Sequence, residues 1–156
     1  MIVNFSCTEW LDLEPENDLI ENEFWKTKED VEGVLAATYD AFRGQALASY
    51  IWGELRADMA EFRGTALADY IRISESNISS TNGKVNWSGY YKTINLANTL
   101  IHFSDIVLER DKTFTNEMKH GIEAEAIFLR SLSYFYLVRL WKEVPLNVIS
   151  FNFRYC

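Results

Sequence analysis

His102 and His120 are the only histidines in this chain, and neither has a metal-ligating partner at helical spacing. Each suits the commoner role of a surface or hydrogen-bonded histidine. Glu123 and Glu125 are two residues apart, which places them on different faces of a helix, so they form no paired-carboxylate acid–base device. Asp58 and Glu61 stand three apart and would be neighbours on one helical face, where solvated acids are the ordinary case. Arg130 with Glu123 or Glu125 reads as a pair buried between helical layers, a packing role. No glycine-rich phosphate loop and no G-x-S-x-G turn occurs. Cys7 and Cys156 stand near opposite ends and show no metal spacing such as C-x-x-C. The residues therefore offer no catalytic constellation, no metal set and no cofactor motif, and the chain reads as a non-enzyme.

Binding chemistry is better represented. Aromatic residues make up 15% of the chain, with 5 Trp, 8 Tyr and 10 Phe, and such rings either fill cores or offer flat faces to ligands. Trp87, Tyr90, Tyr91, Tyr134, Tyr136 and Trp141 recur at helical spacing, which assigns most of them to a core. Trp52 and Trp87 flank less regular segments and are candidates to present a ring to a ligand. Asn82 lies between them, in an Asn-Gly turn. Trp with nearby Asn and Arg suits a sugar, which offers apolar C–H faces and hydroxyls together. Trp52, Asn82 and Trp87 are thus the candidate ligand residues.

The charge balance excludes one class of partner. The net charge is −8, from 23 acids against 15 bases, and no two Lys or Arg residues are adjacent. Nucleic acid needs clustered bases, so it is not an expected partner. Binding to an anionic membrane surface through charge alone is disfavoured for the same reason. No apolar run reaches the roughly 18 residues of a membrane span. The opening Met1-Ile-Val-Asn-Phe-Ser-Cys7 has the form of the tail of a signal segment, a short apolar run ending in a small residue and cysteine.

Only 7 Gly and 2 Pro punctuate the chain, which favours long helices and an all-α fold. Residues Thr8 to about Lys26 lack a helical period and read as an extended acidic arm, anchored late by Phe24 and Trp25. Thr27 stands three residues before Asp30, a capping-box start for a helix from about Lys28 to Arg43, ended by Gly44. Phe42–Ile51 is nearly repeated at Phe62–Ile71, with eight of ten positions matching, but one repeat pair makes no solenoid. Between the copies, Ile51, Trp52, Leu55 and Met59 keep a helical period and predict a helix over about Leu47–Met59. Ser74–Asn86 reads as a loop. A third helix is expected from about Trp87 to Arg110, then a short connector, then a fourth from about Glu117 to Lys142, capped by Thr115 or Asn116 and stopped by Val144-Pro145. The apolar residues of this last helix cover more than one face, which predicts neighbours on two sides, as in a stacked helical repeat. If half of such a stack is absent, Tyr134, Tyr136 or Leu140 should be left exposed, and the chain should associate.

In order along the chain, these segments resemble the N-terminal part of the SusD/RagB family of outer-membrane nutrient-binding lipoproteins. The matching features are Cys7 followed by Leu11-Asp-Leu-Glu-Pro15, and Phe24-Trp25-Lys-Thr-Lys-Glu-Asp30 opening the first helix. Ala36-Ala-Thr-Tyr39, Trp52-Gly-Glu-Leu-Arg-Ala-Asp58 and Trp87 through Tyr91-Lys-Thr-Ile-Asn-Leu-Ala-Asn98 follow. Glu123 through Arg139 then leads to Trp141 and Val144-Pro-Leu146. The resemblance implies antiparallel helix pairs of tetratricopeptide-like type that bind oligosaccharides, or sometimes peptides, at the cell surface. It further implies a lid-like association with a TonB-dependent, SusC-like outer-membrane transporter, anchoring through a lipid on Cys7, and no enzymatic activity.

The corresponding organisation is a signal tail with the lipidated cysteine at 1–7 and an arm at 8–26. A SusD-like helical domain at 27–146 and an atypical tail at 147–156 follow. Members of the family are usually several times longer, so the resemblance also implies a fragment. The alternative expectation is a tetratricopeptide-like scaffold for protein partners, with no small-molecule ligand.

Overall fold

The computed structural model describes residues 24–61 and 67–149. Cys7, the arm up to residue 23 and the tail from residue 150 lie outside these, so the expectations placed on them are not tested by it. Helix α1 spans Lys28–Arg43, and α2 spans Ala46–Tyr50 and runs on into a π-helical turn over Ile51–Leu55. Helix α3 covers Ala68–Ser74, α4 Ser88–Arg110 and α5 Asn116–Trp141. The described residues contain no strand. The fold is all-α, as the scarcity of Gly and Pro predicts.

The ends of the long helices follow from local chemistry. The Asp30 carboxylate accepts from both the backbone N–H and the hydroxyl of Thr27, at 2.7 and 2.9 Å. Burial opposes its ionisation, but the hydrogen bonds from Thr27 outweigh that and hold its pKa below the ordinary value. Thr115 accepts from the Met118 N–H at 3.3 Å and caps α5. The connector over residues 111–115 is short enough to return α5 antiparallel along α4. The cross-helix partners confirm that direction: Trp87 meets Trp141, Tyr91 meets Tyr134, Asn98 meets Arg130 and Ser104 meets Glu123. As the number rises on α4 it falls on α5. Helix α1 packs against both members of this pair.

The α1–α4–α5 core has two parts. At one end Trp25 lies stacked on Phe103, with ring centres 5.0 Å apart, among Val31, Leu100, Val107, Phe114 and Ala126. At the other, Tyr90, Ile94 and Leu137 are buried within a set of aromatic rings. A smaller cluster of Trp52, Leu55 and Ile73 joins the π-helical turn to α3.

Asp111 ties the first of these ends together. Its Oδ1 accepts from the hydroxyl and N–H of Thr113, and its Oδ2 accepts from the Lys28 N–H at the start of α1, at 2.9 Å. The Thr113 hydroxyl, then the Lys28 and Thr113 amides, hold this carboxyl below its ordinary 3.8. A depressed folded-state pKa gives stability that is present above the ordinary value and lost as pH falls through the lowered one. Asp111→Asn should therefore be less stable than the wild type at pH 7. The gap between their urea midpoints should narrow as pH is taken below about 4. A gap that stays constant down to pH 2 would contradict this role.

Three expectations need correction. The second helix does not run through Met59: after the π-helical turn the chain leaves helical geometry, and Asp58 adopts φ 59°. Asp58 and Glu61 are consequently not neighbours on a helical face. The segment Ala68–Ser74, which overlaps the end of the second copy of the near-repeat, is a helix of its own. Finally, among the described residues α5 is covered along one side only, by α1, α4 and the segment that follows it. Tyr134, Tyr136 and Leu140 pack partly into the core, while Ile127, Phe128, Phe135 and Val138 are left exposed. The outward residues are those opposite Leu129, Ser133 and Leu137 on the helical wheel, a register that hydrophobicity alone does not select.

Candidate functional site

The three candidate ligand residues take different positions. Trp52 is 7% exposed and packs with Leu55 and Ile73, its ring 6.3 Å from that of Trp141. Asn82 is 2% exposed; its amide donates to the Asp69 carbonyl at 3.0 Å and its Oδ1 accepts from the Lys84 N–H at 2.9 Å. Both side chains hold the structure together: Trp52 joins two helical segments, and Asn82 closes the loop onto α3. Trp87 alone is open, at 42% exposed, where the chain enters α4.

Trp87 does not stand by itself. Its ring meets Tyr91 edge-on at 5.8 Å and Trp141 at 6.0 Å. Trp141 in turn contacts Trp52 and Tyr90 at 6.3 Å each, and Tyr90 stacks on Tyr136 at 5.8 Å. One exposed indole is thereby supported by a continuous bed of rings from α4, α5 and the π-helical turn. Such support fixes the orientation of a stacking face before a ligand arrives, which reduces the ordering cost of binding. Burial raises the pKa of both Tyr90 and Tyr91, so both hydroxyls are neutral hydrogen-bonding groups at physiological pH.

Beside this bed the chain folds back after α5. The Tyr91 hydroxyl donates to the Pro145 carbonyl at 2.7 Å. The Tyr134 hydroxyl accepts from the Asn147 N–H, and the Asn98 amide donates to the carbonyls of Asn147 and Ile149 at 3.1 and 3.3 Å. Asn98 Oδ1 is held by Arg130 Nη1 at 2.8 Å. Arg130 therefore anchors this returning strap instead of pairing with Glu123 or Glu125. Those two acids serve elsewhere: Glu123 accepts from Ser104 and Glu125 from the Tyr39 hydroxyl. On the other side of α5, Phe42, Tyr50, Tyr136, Arg43 and Arg139 border an open groove of about 400 Å³. The exposure of Tyr50 and Arg139 there carried no sequence signal, because each falls within a helical pattern.

The remaining titratable candidates do not converge. His102 and His120 are both exposed, and the His102 ring lies edge-on to Phe103. Among the described residues no three His, Cys, Asp or Glu side chains gather where a metal ion would fit. None of the described helices is long and apolar enough to cross a membrane.

Comparison with known proteins identifies the fold's relatives. Residues 9–150 match the SusD-like family described as starch-binding associating with outer membrane. The chain is 31% identical over 144 residues to SusD-like protein P38 of Formosa agariphila, across 90% of this chain and 27% of that protein. It is 22% identical over 157 residues to SusD-like protein P25 of the same organism, across 90% of this chain and 28% of that protein. The chain thus spans little more than a quarter of the length of these relatives. No solved structure matches it significantly. The all-α helix pair, the ordered aromatic segments and a family match across nearly the whole chain agree: the chain belongs to the SusD-like family.

Proposed function

We propose that this protein binds oligosaccharides at the cell surface, as a lipid-anchored partner of a TonB-dependent outer-membrane transporter. The family match over residues 9–150 carries the reading. The structure adds a feature suited to it: the half-open Trp87 ring, braced by Tyr91 and Trp141, is a stacking platform for a sugar face. The work is binding and hand-over to the transporter, without chemistry on the sugar. Cys7 is the attachment point for the lipid, and the multiple acyl chains of a lipoprotein hold firmly where a single chain would not.

Calorimetry of the 156-residue chain against a panel of neutral and acidic oligosaccharides and short peptides tests the ligand class. A sugar should bind, and Trp87→Ala should weaken that binding about tenfold or more, as expected for a central aromatic contact. Circular dichroism should be unchanged, since the ring is half exposed. Uniform failure to bind sugars would overturn the glycan reading. It would then favour the alternative, a scaffold for protein partners, to which the exposed apolar side of α5 is also suited.

A further inference from the structure

Asn82-Gly83 is the only Asn-Gly step in the chain, and such a step carries its own chemistry. The amide nitrogen of the glycine, its proton passing to hydroxide, can attack the carboxamide carbon of the asparagine. Glycine lacks Cβ and puts the least bulk in the way. The new N–C bond closes a cyclic imide, the bond from that carbon to Nδ2 breaks, and the nitrogen takes a proton from water and leaves as ammonia. Water then opens the imide at either carbonyl and leaves aspartate or isoaspartate. Nothing beyond water and hydroxide is consumed.

The fold engages both partners in this step. Asn82 is 2% exposed; its Nδ2 donates to the Asp69 backbone carbonyl at 3.0 Å, and its Oδ1 accepts from the Lys84 N–H at 2.9 Å. The carboxamide is held at both ends and cannot rotate without breaking a bond. The attacking nitrogen is held too, because the Gly83 N–H donates to Asp69 Oδ2 at 3.1 Å. A carboxylate against that nitrogen opposes loss of its proton, since two negative charges would then face each other. The Lys84 N–H acts the other way, drawing electrons from the carboxamide carbon through Oδ1. The restraint therefore comes from Asp69, whose main chain grips Asn82 and whose side chain grips Gly83.

We infer that Asn82 is a deamidation site that Asp69 keeps closed, and that its conversion loosens the loop over residues 75–87 from α3. Aspartate at position 82 puts an oxygen where Nδ2 stood, facing the Asp69 carbonyl with no proton between them, and adds a second carboxylate near that of Asp69. Isoaspartate also lengthens the main chain by one carbon and displaces the Asn82 carbonyl, which accepts from the Val85 N–H at 3.0 Å. Lys84, 5.0 Å over the Tyr70 ring, and the packing of Ile78 and Val85 on the Trp52 cluster still hold the loop, so it loosens without the helices melting. The change is irreversible, and each molecule records whether its loop has opened. It involves no glycan, so this inference and the sugar reading can fail separately.

Peptide mapping by mass spectrometry, with isoaspartate counted by enzymatic methylation, follows the reaction in the 156-residue chain at mildly alkaline pH. The folded chain should react at Asn82 about thirtyfold or more slowly than the chain in guanidinium, since opening breaks two hydrogen bonds to α3. Asp69→Ala should speed the folded reaction about three- to tenfold with unchanged helicity, and the difference should vanish in guanidinium. Asp69→Asn, which drops the charge at nearly the same size, should speed it as well. Gly83→Ala should suppress the product even in guanidinium. Its backbone lies outside the left-handed region, and the added Cβ would meet Asp69 Oδ2 at 3.1 Å, the end of a side chain that can turn. Trypsin should cut after Lys84 sooner in Asn82→Asp than in the wild type. Equal rates in the folded and guanidinium-treated chains would overturn the proposal. So would Asp69 variants that react no faster than the wild type, product that persists in Gly83→Ala, or Asn82→Asp cut no sooner.

Discussion

Tyr90→Ala should lower the stability of the fold by about 3–5 kcal/mol, the range for truncating a fully buried aromatic side chain. Tyr90 is 1% exposed and is the point where three elements meet. It stacks on Tyr136 of α5, lies edge-on to Trp141, and exchanges a 2.9 Å hydrogen bond with Ser49 of α2. The loss combines the transferred apolar area with a cavity that Ile94 and Leu137 cannot fill without moving. Tyr90→Phe separates the two contributions. It keeps the ring and deletes only the hydroxyl, so about 1 kcal/mol should be lost. Urea unfolding followed by far-ultraviolet circular dichroism would measure both, with the midpoint shifting at constant slope. A Tyr90→Ala variant as stable as the Phe variant would show that the ring bed is not a packed core. The same variant should also lose any sugar affinity, because Trp87 rests on Trp141 and Trp141 on Tyr90.

The second large effect is expected at Asn98, a buried amide whose hydrogen bonds join α5 to the returning strap. Its oxygen takes the Arg130 guanidinium, and its nitrogen serves the carbonyls of Asn147 and Ile149. Asn98→Leu removes all three and leaves a charged donor without its buried acceptor. A cost of about 2–3 kcal/mol is expected. Asn98→Asp is the more informative change. It retains the acceptor for Arg130 but offers the strap carbonyls only another acceptor, so the strap should come loose while the helix pair stays intact. Limited proteolysis should then cut near residues 145–149 in Asn98→Asp and spare the wild type. Cleavage at equal rates in the two proteins would show that the strap is held by Tyr91 and Tyr134 alone.

The parts of this fold that sequence made legible are those encoded by local rules. The Thr27–Asp30 pair and Thr115 mark helix starts because a side-chain oxygen must meet the first free amides. The short connector fixes the antiparallel sense of α4 and α5. The burial of Trp52 is not legible, because a tryptophan beside irregular sequence looks the same whether it faces a ligand or a neighbouring helix. The π-helical turn decides between these. Its wider winding turns Trp52 and Leu55 inward together, and hydrophobic periodicity carries no mark of such a turn. The Asn-Gly step marks the turn at Asn82, but the Asn82 amide group is spent on Asp69 and Lys84, and the Asp69 contact is one across sequence that spacing does not reveal. The exposure of Trp87 is likewise set by tertiary packing, since its six-residue neighbourhood holds Tyr90 and Tyr91 at similar hydrophobicity and Tyr90 is fully buried.

The ring bed also has an optical consequence. Trp52, Trp87 and Trp141 lie within 6.0 to 6.3 Å along two links, close enough for their electronic transitions to couple. The near-ultraviolet circular dichroism of the folded chain should therefore carry a signal belonging to the trio, not a sum of isolated indoles. Excitation absorbed by buried Trp52 can pass through Trp141 to Trp87, the most exposed of the three. A molecule settling on Trp87 would change the emission of all three, so the protein carries its own reporter for whatever occupies that face.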